Sequence, residues 1–399
     1  MLNLSETFPL NTFVDLALMI FCGMAMGRLV KKIKLPNVTG YLLAGLILGP
    51  SVLGVLSANF LDAVNVISET ALGFIAFSIG NEFKMTYFKR VGVTPIVIAC
   101  LESFFAVALV VGVLLPVTGD AQFALVLGAI AAATAPAATI MVIKQYRAKG
   151  PVTETLLSVV ALDDATALMM YSIAVAIAGA LSGAGASAGE LVLKPVIEIF
   201  GALVVGAILG FVFLLPLKFF KKDGNRMALI VGFIFAGLGL SALCGFSSLL
   251  FCMALGAVVA NFTSDSDLKH LINLSDKITP PIFMLFFVAS GAGLQLGVLP
   301  TVGVVGVIYV TVRVAGKMLG ATLGGMICKA DATIRKYLGP CLLPQAGVAI
   351  GLSLVAGQTF PQYAAKIRAV ILSATLIYEL IGPGVTKACL KKAGEIKEG

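Results

Sequence analysis

Apolar stretches of about twenty residues recur along the whole chain, from Asn11 to Leu390. An α-helix of this length matches the hydrocarbon thickness of a bilayer. The sequence is 59% hydrophobic and 12% charged, and its mean hydropathy is +1.05, whereas soluble domains carry about 25% charged residues. The pattern therefore predicts an all-α polytopic membrane protein that forms a single transmembrane domain, 1–399.

We predict about 13 transmembrane helices. Their ranges are 11–30, 37–55, 65–83, 93–115, 121–143, 154–181, 192–216, 227–244, 246–262, 278–295, 300–327, 333–357 and 367–388. In this count, 23 of the 28 Lys and Arg residues fall in the segments on one side of the membrane and three on the other. Because Lys and Arg concentrate in cytoplasmic loops, the N-terminus is expected outside and the C-terminus in the cytoplasm. Topology thus explains the net charge of +8, and no nucleic-acid partner is expected.

The thirteen spans divide into six, one and six, and the two sets of six have opposite orientation. Two inverted six-helix repeats are typical of secondary transporters, whose sites lie where corresponding helices break near the bilayer midplane. Pro136 and Pro344 each lie inside the fifth span of their half. A proline removes a backbone hydrogen bond, so the pair indicates either ordinary kinks or two discontinuous crossing helices.

Two adjacent aspartates, Asp163 and Asp164, carry the only charges in the apolar part of span 154–181. Each ionised carboxylate at mid-bilayer costs about 2.5–3.5 kcal/mol, so packing alone does not explain them. Neighbouring residues point about 100° apart on a helix, and the two side chains therefore face different surroundings. The pair suits exchange of protons for a monovalent cation. The Thr134 hydroxyl and carbonyls freed by the break could supply further oxygen ligands.

Two cations lie within span 300–327. Lys317 is some ten residues from either end, and Arg313 precedes it by four residues, so the two share one helical face. An ammonium at this depth needs a carboxylate, and Asp163 or Asp164 is the natural partner. The alternative is that the Lys317 side chain extends along its own stem to the interface.

Three further acids are possible accessory residues. Arg313 is expected to pair with a carboxylate of a neighbouring span, such as Glu102 or Glu379. Structural pairing and a place on a proton path remain equally open for these two acids. Glu82 ends its span and is expected at the interface, with a possible gating role.

No resident cofactor is expected. The seven cysteines show no metal-ligand spacing, and the single histidine lies in a polar loop, so neither a transition-metal site nor a disulfide framework is indicated. A nucleotide-binding motif is also absent. Transport would therefore be driven by ion gradients, and an enzymatic activity is not expected.

Five motifs in order make the chain similar to the bacterial monovalent cation–proton antiporters of the CPA2 family. They are Gly40–Gly54 (GYLLAGLILGPSVLG), Thr134–Thr139 (TAPAAT), Leu162–Ala165 (LDDA), Gly316–Gly320 (GKMLG) and Leu343–Gly351 (LPQAGVAIG). The last motif contains Gln345, a possible accessory residue. The resemblance implies an antiporter that exchanges Na⁺ or Li⁺ for H⁺ by alternating access across the cytoplasmic membrane.

The resemblance also implies roles and an assembly. Asp164 would be the main cation ligand and Asp163 the partner of Lys317, and this combination resembles the electrogenic members. In an expected homodimer, a core of spans 93–181 and 300–388 would move against a dimerisation domain. That domain would comprise spans 11–83 and 227–295, with a linker helix at 192–216. A K⁺/H⁺ antiporter and a sodium-coupled solute symporter remain the alternatives.

Overall fold

Helices account for all the regular secondary structure in the described part of the chain. The computed structural model describes residues 11–32, 37–57, 60–61, 64–86, 92–135, 139–140, 142–143, 146–181, 188–294 and 296–396. Its α-helices are α1 Thr12–Lys32, α2 Asn37–Leu48, α3 Asn65–Glu82, α4 Val93–Thr118, α5 Ala121–Ile130, α6 Pro151–Leu181, α7 Ala188–Leu217, α8 Asp223–Cys244, α9 Ser248–Phe262, α10 Asp265–Ala292, α11 Leu299–Ile327, α12 Ala332–Cys341, α13 Gly347–Thr359 and α14 Ala364–Lys392. Two short 3₁₀ helices precede α11 and α14. This confirms the predicted all-α class.

Eight of the described helices are long and apolar enough to cross a membrane, and five shorter apolar helices have 10–17 residues. The short class includes α2, α5, α9 and α13. Helices α5 and α13 are short because they belong to interrupted spans, as described below. The multi-pass character predicted from hydropathy is therefore confirmed, whereas the exact number of crossings stays a prediction.

The chain forms two compact units. The first comprises residues 1–64, 91–171 and 287–399, and the second comprises residues 65–90 and 172–286. In the second unit, Phe74, Phe77, Phe213 and Ile234 belong to one buried apolar cluster. All the described candidate site residues whose contacts are given below lie in the first unit. The functional division into a core and a dimerisation domain stays a prediction.

Helices α4 and α11 pack closely in the first unit because glycine removes the side chain at their contact. A Cβ atom added to Gly320 would lie 2.4 Å from the carbonyl oxygen of Leu101. Gly316 precedes Gly320 by one turn and lies similarly close to Phe105 and Ala106. Small residues spaced by four positions let helix backbones approach in membrane proteins. This approach brings Lys317 on α11 within reach of Glu102 on α4.

One helix begins well before its predicted span. The apolar stretch predicted a span over 278–295, but α10 starts at Asp265. Its first turns are polar, and Asp265 and Asp267 lie where negative charge favours a helix N-terminus. The helix also continues through Pro280 and Pro281. Hydropathy detects only the apolar part of such a helix, which explains the difference.

Candidate functional site

The second predicted break is visible as an interruption of regular helix. Helix α12 ends at Cys341, residues 342–346 are not helical, and α13 begins at Gly347. Pro344 lies in the middle of this segment. In the other half, α5 ends at Ile130 and the chain is not helical from Ala131 to Ala135. Pro136, the predicted first break, lies outside the described residues.

The two non-helical segments contact each other through their backbones. The N–H of Ala135 donates to the carbonyl oxygen of Pro344 at 2.9 Å. Gln345 adds a side-chain link, because its Nε2 donates to the carbonyl oxygen of Ile130 at 3.0 Å. The same Nε2 lies 3.0 Å from the hydroxyl of Tyr309 on α11. These bonds satisfy polar groups that the interruptions free inside an apolar bundle.

Arg313 binds carbonyl oxygens from both segments. Its Nε donates to Ala131 at 3.0 Å, its Nη2 to Ala133 at 2.7 Å and its Nη1 to Leu343 at 2.9 Å. The guanidinium also lies 4.6 Å from the ring centre of Tyr378. We expected Arg313 to pair with a carboxylate, but helix C-termini leave carbonyls with partial negative charge, and these serve as its partners instead.

Lys317 is fully buried and contacts two carboxylates and a hydroxyl. Its Nζ lies 2.6 Å from Glu102 Oε2, 3.0 Å from Asp163 Oδ2 and 2.6 Å from Thr134 Oγ1. Asp163 and Glu102 are also fully buried. The side chain therefore does not extend to the interface. Glu102, which sequence reasoning left between two roles, lies against Lys317.

The two aspartates of α6 have different surroundings. Asp163 faces Lys317, whereas Asp164 is 8% exposed and points elsewhere on the helix. This divergence follows from the rotation of about 100° between neighbouring residues. Asp164 thus lies beside the Lys317–Asp163 pair without being the aspartate that Lys317 binds.

Two hydroxyl residues complete the cluster and were not predicted. Ser103 Oγ lies 3.0 Å from Asp163 Oδ1, 3.0 Å from Glu102 Oε1 and 2.7 Å from Thr166 Oγ1. Thr166 Oγ1 in turn donates to the carbonyl oxygen of Asp163 at 2.9 Å. Their positions give a weak signal in retrospect. Ser103 directly follows a buried acid, and Thr166 lies about one turn after Asp163.

The remaining predicted acids lie apart from these contacts or cannot be placed. Glu379 on α14 is buried and accepts a hydrogen bond from the hydroxyl of Thr39 on α2. Thr39 directly precedes the Gly40–Gly54 motif. Glu82 is the last residue of α3, but its side chain lies outside the described parts.

A further carboxylate caps the helix that carries the aspartates. Glu395 Oε1 accepts from the N–H of Val152 at 2.7 Å, and Oε2 accepts from the N–H and the hydroxyl of Thr153, both at 2.7 Å. A Cβ atom at Gly150 would lie 2.4 Å from Glu395 Cδ, so only glycine leaves room there. A carboxylate is favourable at a helix N-terminus. The sequence offered no signal for this contact, because 243 positions separate Glu395 from Val152.

Comparison with known proteins agrees with this architecture. NhaS4, a Na⁺/H⁺ antiporter of Synechocystis, is 27% identical over 362 residues, which cover 81% of this chain and 84% of NhaS4. NhaS5, a Na⁺/H⁺ antiporter of the same organism, is 23% identical over 301 residues, which cover 74% of this chain and 41% of NhaS5. The solved structure of the sodium proton antiporter MjNhaP1 from Methanocaldococcus jannaschii at pH 8 superposes with a TM-score of 0.79 at 20% identity. The superposition covers 97% of this chain and 99% of MjNhaP1.

The likeness to MjNhaP1 shows the fold, and a match to a protein family covers nearly the same part of the chain. Residues 16–392 match the transmembrane sodium/hydrogen exchanger family. The match includes both interrupted spans and every described member of the Lys317 cluster. The chain therefore belongs to the sodium/hydrogen exchanger family, a family of multi-pass membrane transporters.

Proposed function

We propose that the protein is a secondary active antiporter that exchanges Na⁺ or Li⁺ for H⁺. The observation that carries this proposal is the buried ion pair of Lys317 and Asp163, 3.0 Å apart, next to Asp164 on a helix that is long and apolar enough to cross a membrane. Membership of the exchanger family supports the same activity, as do the names of the Synechocystis relatives.

The chemistry is a competition for the same negative charge. A carboxylate buried among apolar residues needs a proton, an ammonium or a metal cation to neutralise it. At high proton activity the carboxyl groups hold protons, and Lys317 pairs with Asp163. At low proton activity a cation binds, with Asp164 as the main ligand and Asp163 joining as Lys317 withdraws. The Thr134 hydroxyl and nearby carbonyls supply the neutral oxygen ligands that a hard cation prefers.

Net charge movement depends on the proton of Lys317. If the ammonium gives up its proton when the cation takes Asp163, a second proton moves in each cycle and the exchange is electrogenic. Each net charge is then worth about 2.3 kcal/mol per 100 mV of membrane potential. The resemblance to antiporters with an Asp–Asp pair and a lysine supports electrogenic exchange.

The proposal includes the setting of the activity. Alternating access would occur in a homodimer in the cytoplasmic membrane, with the N-terminus outside, the C-terminus in the cytoplasm and no resident cofactor. The bias of Lys and Arg toward one set of loops supports this orientation. The interruptions at residues 131–135 and 342–346 support a site near the middle of the membrane, where broken helices of transporters bind ions.

Proteoliposomes that enclose a pH-sensitive dye test the proposal. Na⁺, Li⁺ and K⁺ are added in turn under an imposed pH gradient, with wild type, Asp164→Asn and Asp331→Asn. Asp331 is exposed and precedes α12, so its variant controls for the loss of one aspartate charge. Proton movement triggered by Na⁺ or Li⁺, lost only in Asp164→Asn, is the expected result.

The other outcomes separate the alternatives. A response to K⁺ alone would replace the proposal with K⁺/H⁺ exchange. No response to any of the three cations would favour a sodium-coupled symporter, which counterflow assays with organic solutes would then test. A Na⁺ response that ignores a potential set with valinomycin would keep the antiporter and remove the second proton.

A further inference from the structure

Lys317 has two carboxylate partners, and the proposed mechanism uses only one of them. Its Nζ lies 2.6 Å from Glu102 Oε2 and 3.0 Å from Asp163 Oδ2. All three side chains are fully buried. Glu102 belongs to α4 and Asp163 to α6, so the ammonium lies between acids from two helices.

We propose that Glu102 is a positioning residue that holds Lys317 when a cation takes Asp163. This role rests on the proposed cation exchange. A metal cation at Asp163 repels the ammonium beside it, and a buried ammonium without a partner is strongly unfavourable. Glu102 offers Lys317 a charged acceptor in the same cluster, so the amine can withdraw from Asp163 by a short movement. The role concerns where the amine lies, and it holds for one or two protons per cycle.

The surroundings of Glu102 fix it for this task. Ser103 Oγ lies 3.0 Å from Glu102 Oε1, so the carboxylate has a polar neighbour on the oxygen that does not face Lys317. The close approach of α4 and α11 at Gly320 fixes the distance between the two backbones. Glu102 can therefore receive Lys317 without a movement of either helix.

The same geometry predicts the effect of removing the charge. In Glu102→Gln, Asp163 is the remaining carboxylate bound to Lys317 among the described contacts, and the cation must displace an ammonium that has no second charged acceptor. The apparent Kd for Na⁺ is expected to rise about tenfold. Glu102→Asp keeps the charge and is expected to stay within about threefold of wild type.

A double-mutant cycle tests the role, with Na⁺ affinity measured as cation-dependent thermal stabilisation of the purified protein. This readout does not require transport. The cycle combines Glu102→Gln with Lys317→Gln, and Glu154→Gln, at an exposed position of α6, controls for the loss of a glutamate. If Glu102 acts through Lys317, Glu102→Gln changes the Kd less than about twofold when Lys317 is already Gln.

Several results would overturn the role. They are an unchanged Kd in Glu102→Gln, an equal rise with and without Lys317, or failure of both Glu102→Gln and Glu102→Asp to fold. The last result would make Glu102 a structural residue. Wild-type protein that shows neither Na⁺-dependent stabilisation nor Na⁺-driven proton movement would instead refute the proposed exchange, and this inference with it. Exchange in the wild type with an unchanged Kd in Glu102→Gln would refute the inference alone.

Discussion

The backbone N–H of Ala135 donates to the carbonyl oxygen of Pro344, which joins the two interrupted spans at 2.9 Å. Arg313 and Gln345 add side-chain bonds across the same place. Polar backbone at this depth is tolerated where protein groups satisfy it. The two interruptions therefore act as one structural element, and a change that loosens one is expected to loosen the other.

Replacing Arg313 should destabilise this element. Arg313→Gln removes at least two of three charge-assisted bonds to carbonyls, and we expect the free energy of unfolding to fall by about 3 kcal/mol or more. Thermal unfolding in detergent measures the loss. Arg28→Gln, at an exposed arginine of α1, serves as the control. Equal midpoints for the two variants would show that the carbonyl bonds contribute little.

The contact between α4 and α11 can be tested with two glycines of one helix. Gly320→Ala places a methyl group 2.4 Å from the Leu101 carbonyl oxygen and should cost about 1–3 kcal/mol. Gly306→Ala meets no atom within 4 Å and should be neutral or stabilise the helix by up to about 1 kcal/mol. Thermal midpoints compare the two variants. A stable Gly320→Ala protein would contradict the tight packing.

The cap on α6 should protect the amides that it binds. Glu395→Gln replaces a carboxylate that accepts from Val152 and Thr153, and we expect hydrogen exchange in residues 150–156 to accelerate about tenfold. Mass spectrometry of peptides over this segment measures the rate. Glu154→Gln leaves the Glu395 cap in place and should exchange like wild type. Similar rates in all three proteins would argue against the cap.

Proton competition predicts how the apparent affinity for Na⁺ depends on pH. Protons bind the cation-free carboxylates, so lowering the pH must weaken Na⁺ binding, and raising it must strengthen binding until the carboxylates are ionised. Where they are protonated, the KM for Na⁺ should change about tenfold per pH unit for each proton displaced. Initial rates in proteoliposomes between pH 6 and pH 9, on the order of three units, give this slope. A KM independent of pH would contradict competition.

Local sequence patterns were sufficient for the helical architecture and for the choice of residues to inspect. Hydropathy located the spans, and Pro344 lies in the interruption that its position suggested. The depth of Lys317 within its span indicated a need for a carboxylate, and the structure places Asp163 beside it. Each of these inferences used the period of a helix or the cost of a charge in a bilayer, which are readable from one chain.

Other contacts depend on which helices meet, and a single sequence does not encode that locally. Arg313 was expected to bind an acid, but the nearest strong acceptors proved to be carbonyls of segments about 180 positions earlier and 30 later. Ser103 and Thr166 joined the cluster only because α4 and α6 meet there. The polar start of α10 escaped detection because it adds nothing to an apolar stretch.

The Glu395 cap has a consequence for how the protein is made. Ribosomes add about 5–20 residues per second, so the 243 positions between Val152 and Glu395 correspond to roughly 12–50 s of translation. During this interval the first amides of α6 lack their final acceptor and depend on water or on the insertion machinery. The helix that carries Asp163 and Asp164 thus reaches its finished form only after Glu395 has left the ribosome.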